Sequence, residues 1–276
     1  MEEQLKTDGR MEKLFTPEVR FEVLDIQDEV NMIMDFCMHK NPSLDFSEVV
    51  YNTHPELRKM VDGITDEKQF REQCEKYVID YVSKNKDILE KSKEHFQRIW
   101  EQIGGSILNS LSRDFETDFP EGIKEIKANV SINPICPRCI DEWTFNLYHK
   151  LSDVLVLKTV IHEIIHFVYF RKWSKVFPDS DSKKYSGMNS EWILSEILVH
   201  TIINNNKIFQ NILKNEKSDV YKKWRSIRVD DKKLDEYFDD FYKEHEEGKI
   251  SFADFLKKSW DEYQKHKDVI EGSIKK

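Results

Sequence analysis

The segment HEIIH, residues 162–166, carries the side chains of this chain that are best suited to metal chemistry. Two histidines four residues apart on a helix lie on one face, with Cβ atoms about 5–6 Å apart. Both imidazoles can then reach one zinc ion at about 2.0–2.1 Å. Glu163 can point at a water molecule near that ion and act as its general base. The spacing therefore predicts a hydrolytic zinc site with His162 and His166 as ligands.

The residues around this segment are strongly apolar. VLVLKTVI precedes it and FVYF follows it, so the helix is apolar on nearly all sides and should be buried. Burying two histidines and a glutamate costs free energy unless they share a partner such as a metal ion. The alternative is a chance match in which each histidine forms a local hydrogen bond, and the apolar context disfavours it.

A catalytic zinc usually has three protein ligands and one open position. The next apolar helix, EWILSEILVHTIIN, has Glu196 and His200 as the ionisable residues of its apolar part. We predict Glu196 as the third ligand, because coordination would remove the cost of burying its carboxylate. Glu191 is the rival, although with Ser190 as N-cap it is already explained as a first-turn acid that the helix dipole favours.

His200 lies one turn beyond Glu196 on the same face of that helix. It could orient Glu196, stabilise a developing oxyanion, or replace Glu196 as a ligand. A buried histidine that bonds to the backbone is an equally good interpretation. We predict His200 as a second catalytic residue beside Glu163 and keep these alternatives open.

At this point the chain resembles the gluzincin branch of the zincin metallopeptidases, the group that includes thermolysin. In that family an HExxH helix supplies two histidine ligands and the general base, and a glutamate on a following helix supplies the third ligand. The resemblance covers about residues 123–205 and implies these roles for His162, His166, Glu163 and Glu196. It also implies that the substrate is a peptide or protein whose amide bond is cleaved.

Two features of the sequence limit the choice within the zincins. Tyr169 and Lys172 stand where the metzincin extension has glycine and histidine, which excludes that class. The common gluzincin pattern NExxxD is approached at residues 189–191, but Ser195 stands where its acid would be. This departure keeps Glu191 open as an alternative to Glu196.

The hydrophobic pattern predicts an α+β fold that is mainly helical, with a small sheet packed against the HExxH helix. Apolar helices are expected at about Asp153–Trp173 and Glu191–Asn204. Alternating residues predict strands at Ile123–Ile132 and Thr144–His149, in a possible hairpin. By the resemblance, Thr144–His149 would be an edge strand that binds substrate as an added strand. The polar loop Ser174–Ser190 between the two ligand helices could be a lid or a simple connector.

Residues 1–120 are predicted to form a mainly helical N-terminal region, and residues 121–276 a zincin-like catalytic region with C-terminal helices. The two could equally form one compact domain. Thr65 is expected to cap a helix, and a second helix is expected to break or kink at Gly104–Gly105. Residues 41–63 contain two prolines and a glycine and are expected to be irregular.

Composition narrows the classes of partner and location. The 276 residues carry a formal net charge of −9, which disfavours nucleic-acid binding because phosphate contacts need clustered Lys and Arg. The sequence contains no stretch of 18 apolar residues, so no transmembrane helix is expected. The N-terminus lacks the apolar core of a signal peptide. We therefore expect a cytoplasmic protein with neither nucleic acid nor membrane as partner. The sequence does not indicate an oligomeric state.

Cys136 and Cys139 form a CxxC pair in the turn ICPRC. The other two cysteines, Cys37 and Cys74, lack the spacing of the second pair that a zinc ribbon needs. A thioredoxin-like site would lie at a helix N-terminus, not in a turn between strands. The simplest interpretation is two cysteines in a turn, with a redox role near the site left open.

Together these patterns predict a zinc-dependent hydrolase, a metallopeptidase that uses an activated water molecule and no covalent intermediate. The main alternative is a non-catalytic protein of zincin ancestry, an interaction or regulatory module in which zinc is structural or absent. A CxxC redox protein ranks far below both.

Overall fold

The computed structural model describes residues 15–39, 45–218 and 221–274. These residues are mainly helical and include a small mixed sheet, which confirms the predicted α+β fold dominated by helices. Within this described part of the chain, no helix is both long and apolar enough to cross a membrane.

The sheet has four strands: β1 (Glu18–Val23), β2 (Glu125–Ser131), β3 (Arg138–Cys139) and β4 (Thr144–Tyr148). Their order is β1-β2-β4-β3, with β1 and β4 parallel to β2 and with β3 antiparallel to β4. The strands predicted at residues 123–132 and 144–149 are therefore present, but their pairing as a hairpin is wrong. The turn ICPRC adds β3 on the outer side of β4, so β3, and not β4, is the last strand of the sheet.

Helices make up most of the remaining chain. In chain order they are α1 (Ile26–Ile33), α2 (Ser47–Thr53), α3 (Pro55–Val61), α4 (Glu67–Asp114), α5 (Asp153–Val176), α6 (Ser190–Asn205), α7 (Lys207–Ile212), α8 (Lys222–Arg225), α9 (Leu234–Glu246), α10 (Phe252–Lys265) and α11 (Lys267–Ile274). A π-helical turn, Met34–Met38, follows α1, and a 3₁₀ turn, Ser182–Tyr185, lies between α5 and α6. A short hairpin, β5 (Arg228–Val229) and β6 (Lys232–Lys233), precedes α9.

The expectation that residues 41–63 are irregular is wrong for most of this segment, and residues 41–44 lie outside the described residues. Helices α2 and α3 occupy residues 47–61. Pro55 stands at the first position of α3, where proline is tolerated because its missing N–H would have no helical partner. The proline that suggested a loop in fact begins a helix.

Helix α4 is one helix where two were predicted, and it is continuous through the glycine pair, so a break at Gly104–Gly105 is wrong. Its N-cap is Asp66 and not Thr65, because the Asp66 carboxylate accepts a hydrogen bond from the Gln69 N–H at 2.8 Å. Gly104 lies under the Trp100 indole, and a Cβ atom there would overlap the ring. The glycine therefore makes room for a buried tryptophan within an unbroken helix.

The glycine pair provides a matched stability test. We expect Gly104→Ala to destabilise the protein by about 1–3 kcal/mol, because the added methyl overpacks against Trp100. Gly105→Ala meets no atom within 4 Å and should stabilise the helix by up to about 1 kcal/mol. Urea unfolding of both variants measures the change in the free energy of unfolding, which we expect to be negative for Gly104→Ala and positive for Gly105→Ala. Equal changes at the two positions would contradict the packing role of Gly104.

Buried apolar side chains form two clusters. The larger one combines the sheet, the C-terminal half of α4, α5, α6 and the C-terminal helices. The smaller one combines α1, α2, α3 and the N-terminal half of α4. Strand β1 and α4 thus contribute to the same core as α5, although they precede residue 120. The division into regions at that residue stays a prediction.

Glu29 of α1 is a buried carboxyl at the end of β2. It accepts hydrogen bonds from Ser131 Oγ at 2.9 Å and from the Ile132 N–H at 2.8 Å. Burial raises the pKa of Glu29 to about 8, although these two hydrogen bonds oppose the rise. At neutral pH Glu29 is therefore a mostly uncharged link between α1 and the segment that leads into β3.

This carboxyl predicts a specific pH dependence of stability. The folded chain holds the Glu29 proton more tightly than the unfolded chain, so its contribution to the free energy of unfolding is full below about pH 4.5 and is lost as the pH rises through about 8. Glu29→Gln should behave like the wild type at pH 4 and exceed its stability above pH 8, by a difference on the order of a few kcal/mol. Denaturant titrations from pH 4 to 9 measure this difference, and a gap that does not widen with pH would contradict the assignment.

Candidate metal centre

The two helices predicted to carry the metal ligands pack against each other in the larger core. Helix α5 places His162, Glu163 and His166 in its middle turns, and α6 places Glu196 opposite them. Both helices are apolar on nearly every face, which is why they are buried over most of their length. Burial thus fixes the backbone on which these polar side chains stand.

Three ligand atoms converge between the helices. His162 Nε2 and His166 Nε2 are 3.1 Å apart, and they lie 3.4 Å from Glu196 Oε2 and 3.5 Å from Glu196 Oε1 respectively. Ligand atoms about 2.1 Å from a tetrahedral zinc ion are about 3.4 Å from each other. The two nitrogens and the Glu196 carboxylate therefore surround a space that suits one small divalent cation, since one ligand atom from each residue lies within 4.8 Å of the others.

The protonation states also suit a metal. Burial lowers the pKa of His166 to about 3, so its imidazole is neutral at pH 7. Burial alone would raise the pKa of Glu196, but the charge of Arg138, together with hydrogen bonding to the two histidines, outweighs it and holds that pKa well below the usual carboxyl range. Neutral imidazole and ionised carboxylate are the forms that bind zinc. The donor set, two nitrogens and one oxygen, is that of a catalytic zinc site.

Glu163 lies beside the ligand group, but its carboxylate is farther from His162 Nε2 than the Glu196 carboxylate is. Its Oε1 is 3.9 Å from His162 Nε2, and its side chain is almost fully buried. Burial raises the pKa of Glu163, whereas His162 and Arg138 act in the opposite direction. A carboxylate with a raised pKa next to a metal site is suited to accept a proton from water.

His200 is buried one turn further along α6 and is not part of the ligand group. Its Nδ1 is hydrogen-bonded to Ser218 Oγ, and its ring centroid is 5.3 Å from that of His162. Burial holds the pKa of His200 well below its usual value, so the ring is neutral. Its Nε2 has no hydrogen-bond partner among the described residues. A catalytic role for His200 stays a prediction.

Glu191, the alternative third ligand, does not lie with His162 and His166. Its carboxylate is 3.5 Å from Lys184 Nζ, in the loop before α6. The N-cap of α6 is Asn189 and not Ser190, because α6 begins one residue earlier than predicted. The structure therefore groups Glu196, and not Glu191, with the two histidines.

A cavity of about 980 Å³ opens onto the ligand group, with His162, Glu163 and Glu196 in its wall. Most of the other lining side chains are apolar, and they include Phe36, Phe46, Ile140, Leu155, Met188 and Trp192. The loop between α5 and α6 contributes residues 185–188 to this wall. Such a volume accommodates a ligand of several residues. Whether the loop acts as a lid stays a prediction.

Sequence reasoning missed Arg138, which lies between the two cysteines of the CxxC turn. Its Nη2 donates to Glu196 Oε1 at 2.9 Å, and its Nη1 donates to Glu163 Oε2 at 3.4 Å. Cys136 and Cys139 line the same cavity as free thiols, and burial raises the pKa of Cys136 to about 12. No spacing in the sequence links this turn to α5 and α6, since the contact is made through the sheet.

Comparison with known proteins adds no relative to this description: no family model, no curated protein and no solved structure matches the chain.

Proposed function

We propose that the chain is a zinc-dependent hydrolase, a metallopeptidase of zincin type. The observation that carries the proposal is the convergence of His162, His166 and Glu196 next to Glu163 and a large cavity. The two imidazole nitrogens are 3.1 Å apart, and each lies 3.4–3.5 Å from an oxygen of Glu196. Two imidazole nitrogens and a carboxylate that face one another in an apolar core are costly to bury unless they share a cation. Within this proposal α5 is a zincin-type helix packed on the sheet.

The chain's own residues divide the work of hydrolysis. A bound zinc ion would act as a Lewis acid on the substrate carbonyl and would make water more acidic. Glu163 would take the proton from the attacking water and return it to the leaving amine, a contribution of about 10²–10⁴-fold to the rate. The apolar helices around the ligands keep bulk water away from these groups, which strengthens the electrostatic interactions among them.

A peptide is the substrate class that the surroundings support best. The wall of the cavity contains residues 134–141, which are β3 and its flanking turns. Since β3 is the last strand of the sheet, an extended peptide could pair with its free side, as the resemblance to gluzincins implies for an edge strand. The apolar lining would then accept large apolar side chains of the substrate.

One observation favours the non-catalytic alternative. Arg138 already forms ion pairs with both Glu163 and Glu196, so two of the buried charges are partly compensated without a metal. A protein of zincin ancestry that has lost its metal could be stabilised in this way. The two proposals differ in metal content and in activity, which makes them separable.

The test of the proposed function is hydrolysis of a mixed peptide library by the purified full chain, analysed by mass spectrometry. We expect cleavage that 1,10-phenanthroline abolishes and that added zinc restores. A chain that binds zinc but cleaves no peptide would support the non-catalytic alternative and contradict the peptidase proposal. The expected cytoplasmic location and the expected absence of a nucleic-acid partner stay predictions.

A further inference from the structure

We propose that Arg138 is a positioning residue that keeps the Glu163 carboxylate out of the metal's coordination sphere and thereby keeps one position open. The inference rests on the metal site of the proposed function and goes beyond it. A site with three protein ligands and an open position is catalytic, whereas four protein ligands make a closed, structural site. His162, His166, Glu196 and Glu163 together are enough ligands for a closed site. An open position therefore requires that Glu163 stays away from the metal.

Glu163 is the carboxylate next to the ligand group without being part of it. Its Oε1 is 3.9 Å from His162 Nε2, but it lies outside the group of atoms that are all within 4.8 Å of one another. A change of its side-chain torsion would be needed to bring it to the metal. Carboxylate oxygen is a common zinc ligand, and a buried carboxylate gains from contact with a dication. The attraction of a bound dication would therefore favour that change.

Arg138 opposes that movement through a bridge between two carboxylates. Its Nη1 donates to Glu163 Oε2 and its Nη2 to Glu196 Oε1, at 3.4 and 2.9 Å. Among the described residues, Arg138 Nε has no hydrogen-bond partner, so the guanidinium group is held by these two acids alone. A planar guanidinium fixes the separation of two acceptors in a way that the single ammonium of lysine does not.

The guanidinium itself stands on a fixed support. Arg138 lies on β3, opposite Phe145 of β4, and the Asn146 N–H donates to the Pro137 carbonyl at 2.9 Å. Its side chain is about 10% exposed, against 6% for Glu163 and 2% for Glu196. Strand β3 therefore presents the guanidinium to Glu163 of α5 and Glu196 of α6. Movement of Glu163 toward the metal would leave a buried Arg138 donor without its partner.

This arrangement predicts effects of opposite sign on metal affinity and on activity. Replacing Arg138 by an uncharged residue leaves two buried carboxylates without their cation, which strengthens their attraction for a dication. Glu163 is then free to coordinate. The metal should bind more tightly, while the loss of the open position and of the free base should lower hydrolysis. A residue with a merely structural role would weaken metal binding and activity together.

The experiment compares Arg138→Met and Arg138→Lys with Arg98→Met, a matched control at an exposed arginine of α4. Zinc affinity is measured by competition with a chromophoric chelator. In the cobalt-loaded proteins, azide serves as a probe of the open position through the visible absorption bands. We expect Arg138→Met to bind zinc about 10-fold more tightly or better, because the loss of a buried positive charge beside the ligand carboxylate outweighs the loss of the hydrogen bond to Glu196. We also expect it to lose the azide response, while Arg98→Met matches the wild type in both.

The outcomes separate this inference from the proposed function. Arg138→Met that binds zinc as the wild type does, or more weakly, and still responds to azide would overturn the role of Arg138 and leave the metal site standing. A wild type that binds no zinc would remove the proposed function itself. Circular dichroism reports whether each variant is folded. If Arg138→Met is unfolded, Arg138→Lys decides: a reduced azide response supports the bridge, and a full response with full hydrolysis overturns it.

Discussion

Glu163→Gln is expected to leave zinc bound and to lower kcat by about 10²–10⁴-fold, the range that a positioned general base contributes. Glutamine has the shape of glutamate but cannot take the proton from water. The histidine and Glu196 ligand atoms are untouched, because Glu163 lies beside them at 3.9 Å from His162 Nε2. Zinc content by mass spectrometry and steady-state rates on a peptide found by the library screen measure the two effects.

The control for this change is Glu94→Gln, at an exposed glutamate of α4 that is not part of the cavity wall. It should leave both zinc content and kcat as in the wild type. A Glu163→Gln protein with an unchanged rate would mean that the base is another group. Loss of zinc from that variant would instead mean that Glu163 is itself a ligand.

Glu196→Gln is expected to weaken zinc binding by more than about 100-fold. Changes to groups that only hydrogen-bond a ligand cost about 10–100-fold in metal affinity, and removal of a charged ligand should exceed that range. Zinc at 100 times its Kd should add about 2.7 kcal/mol to the free energy of unfolding of the wild type. At the same zinc concentration the variant should lose nearly all of this stabilisation, which thermal unfolding with zinc or with EDTA measures.

Glu191→Gln is the comparison that decides between the two candidate ligands. Glu191 contacts Lys184 at 3.5 Å and stands apart from the histidines, so the zinc-dependent stabilisation should persist in that variant. If Glu191→Gln loses the stabilisation and Glu196→Gln keeps it, the assignment of the third ligand is wrong. Equal loss in both would point to a larger rearrangement on metal binding.

Local patterns in the sequence predicted the two buried helices, α5 and α6, and the placement of the two histidines on one helix face. The apolar runs around HEIIH and around Glu196 determine that α5 and α6 are buried, and the four-residue spacing places His162 and His166 on one face. The burial argument for Glu196 depends on the same local information. These features need no knowledge of the rest of the chain, since a helix and its apolar faces follow from neighbouring residues.

The features that sequence reasoning missed depend on contacts between distant residues. Gly104 makes room for the Trp100 ring within α4, and β2 pairs in parallel with β4 while the turn between them adds β3 to the sheet. Arg138 is 25 residues from Glu163 and 58 from Glu196 along the chain. The sequence indicated only two cysteines in a turn, whereas Arg138, one of the two residues between them, makes the contact with the site.

The most direct test of the account is the anomalous diffraction of a crystal of the full chain soaked in zinc. The account predicts one strong peak per chain, about 2.0–2.2 Å from His162 Nε2, His166 Nε2 and a Glu196 oxygen, with Glu163 still paired to Arg138. A peak at Cys136 and Cys139 with none between α5 and α6, or imidazoles that face away from each other, would contradict it.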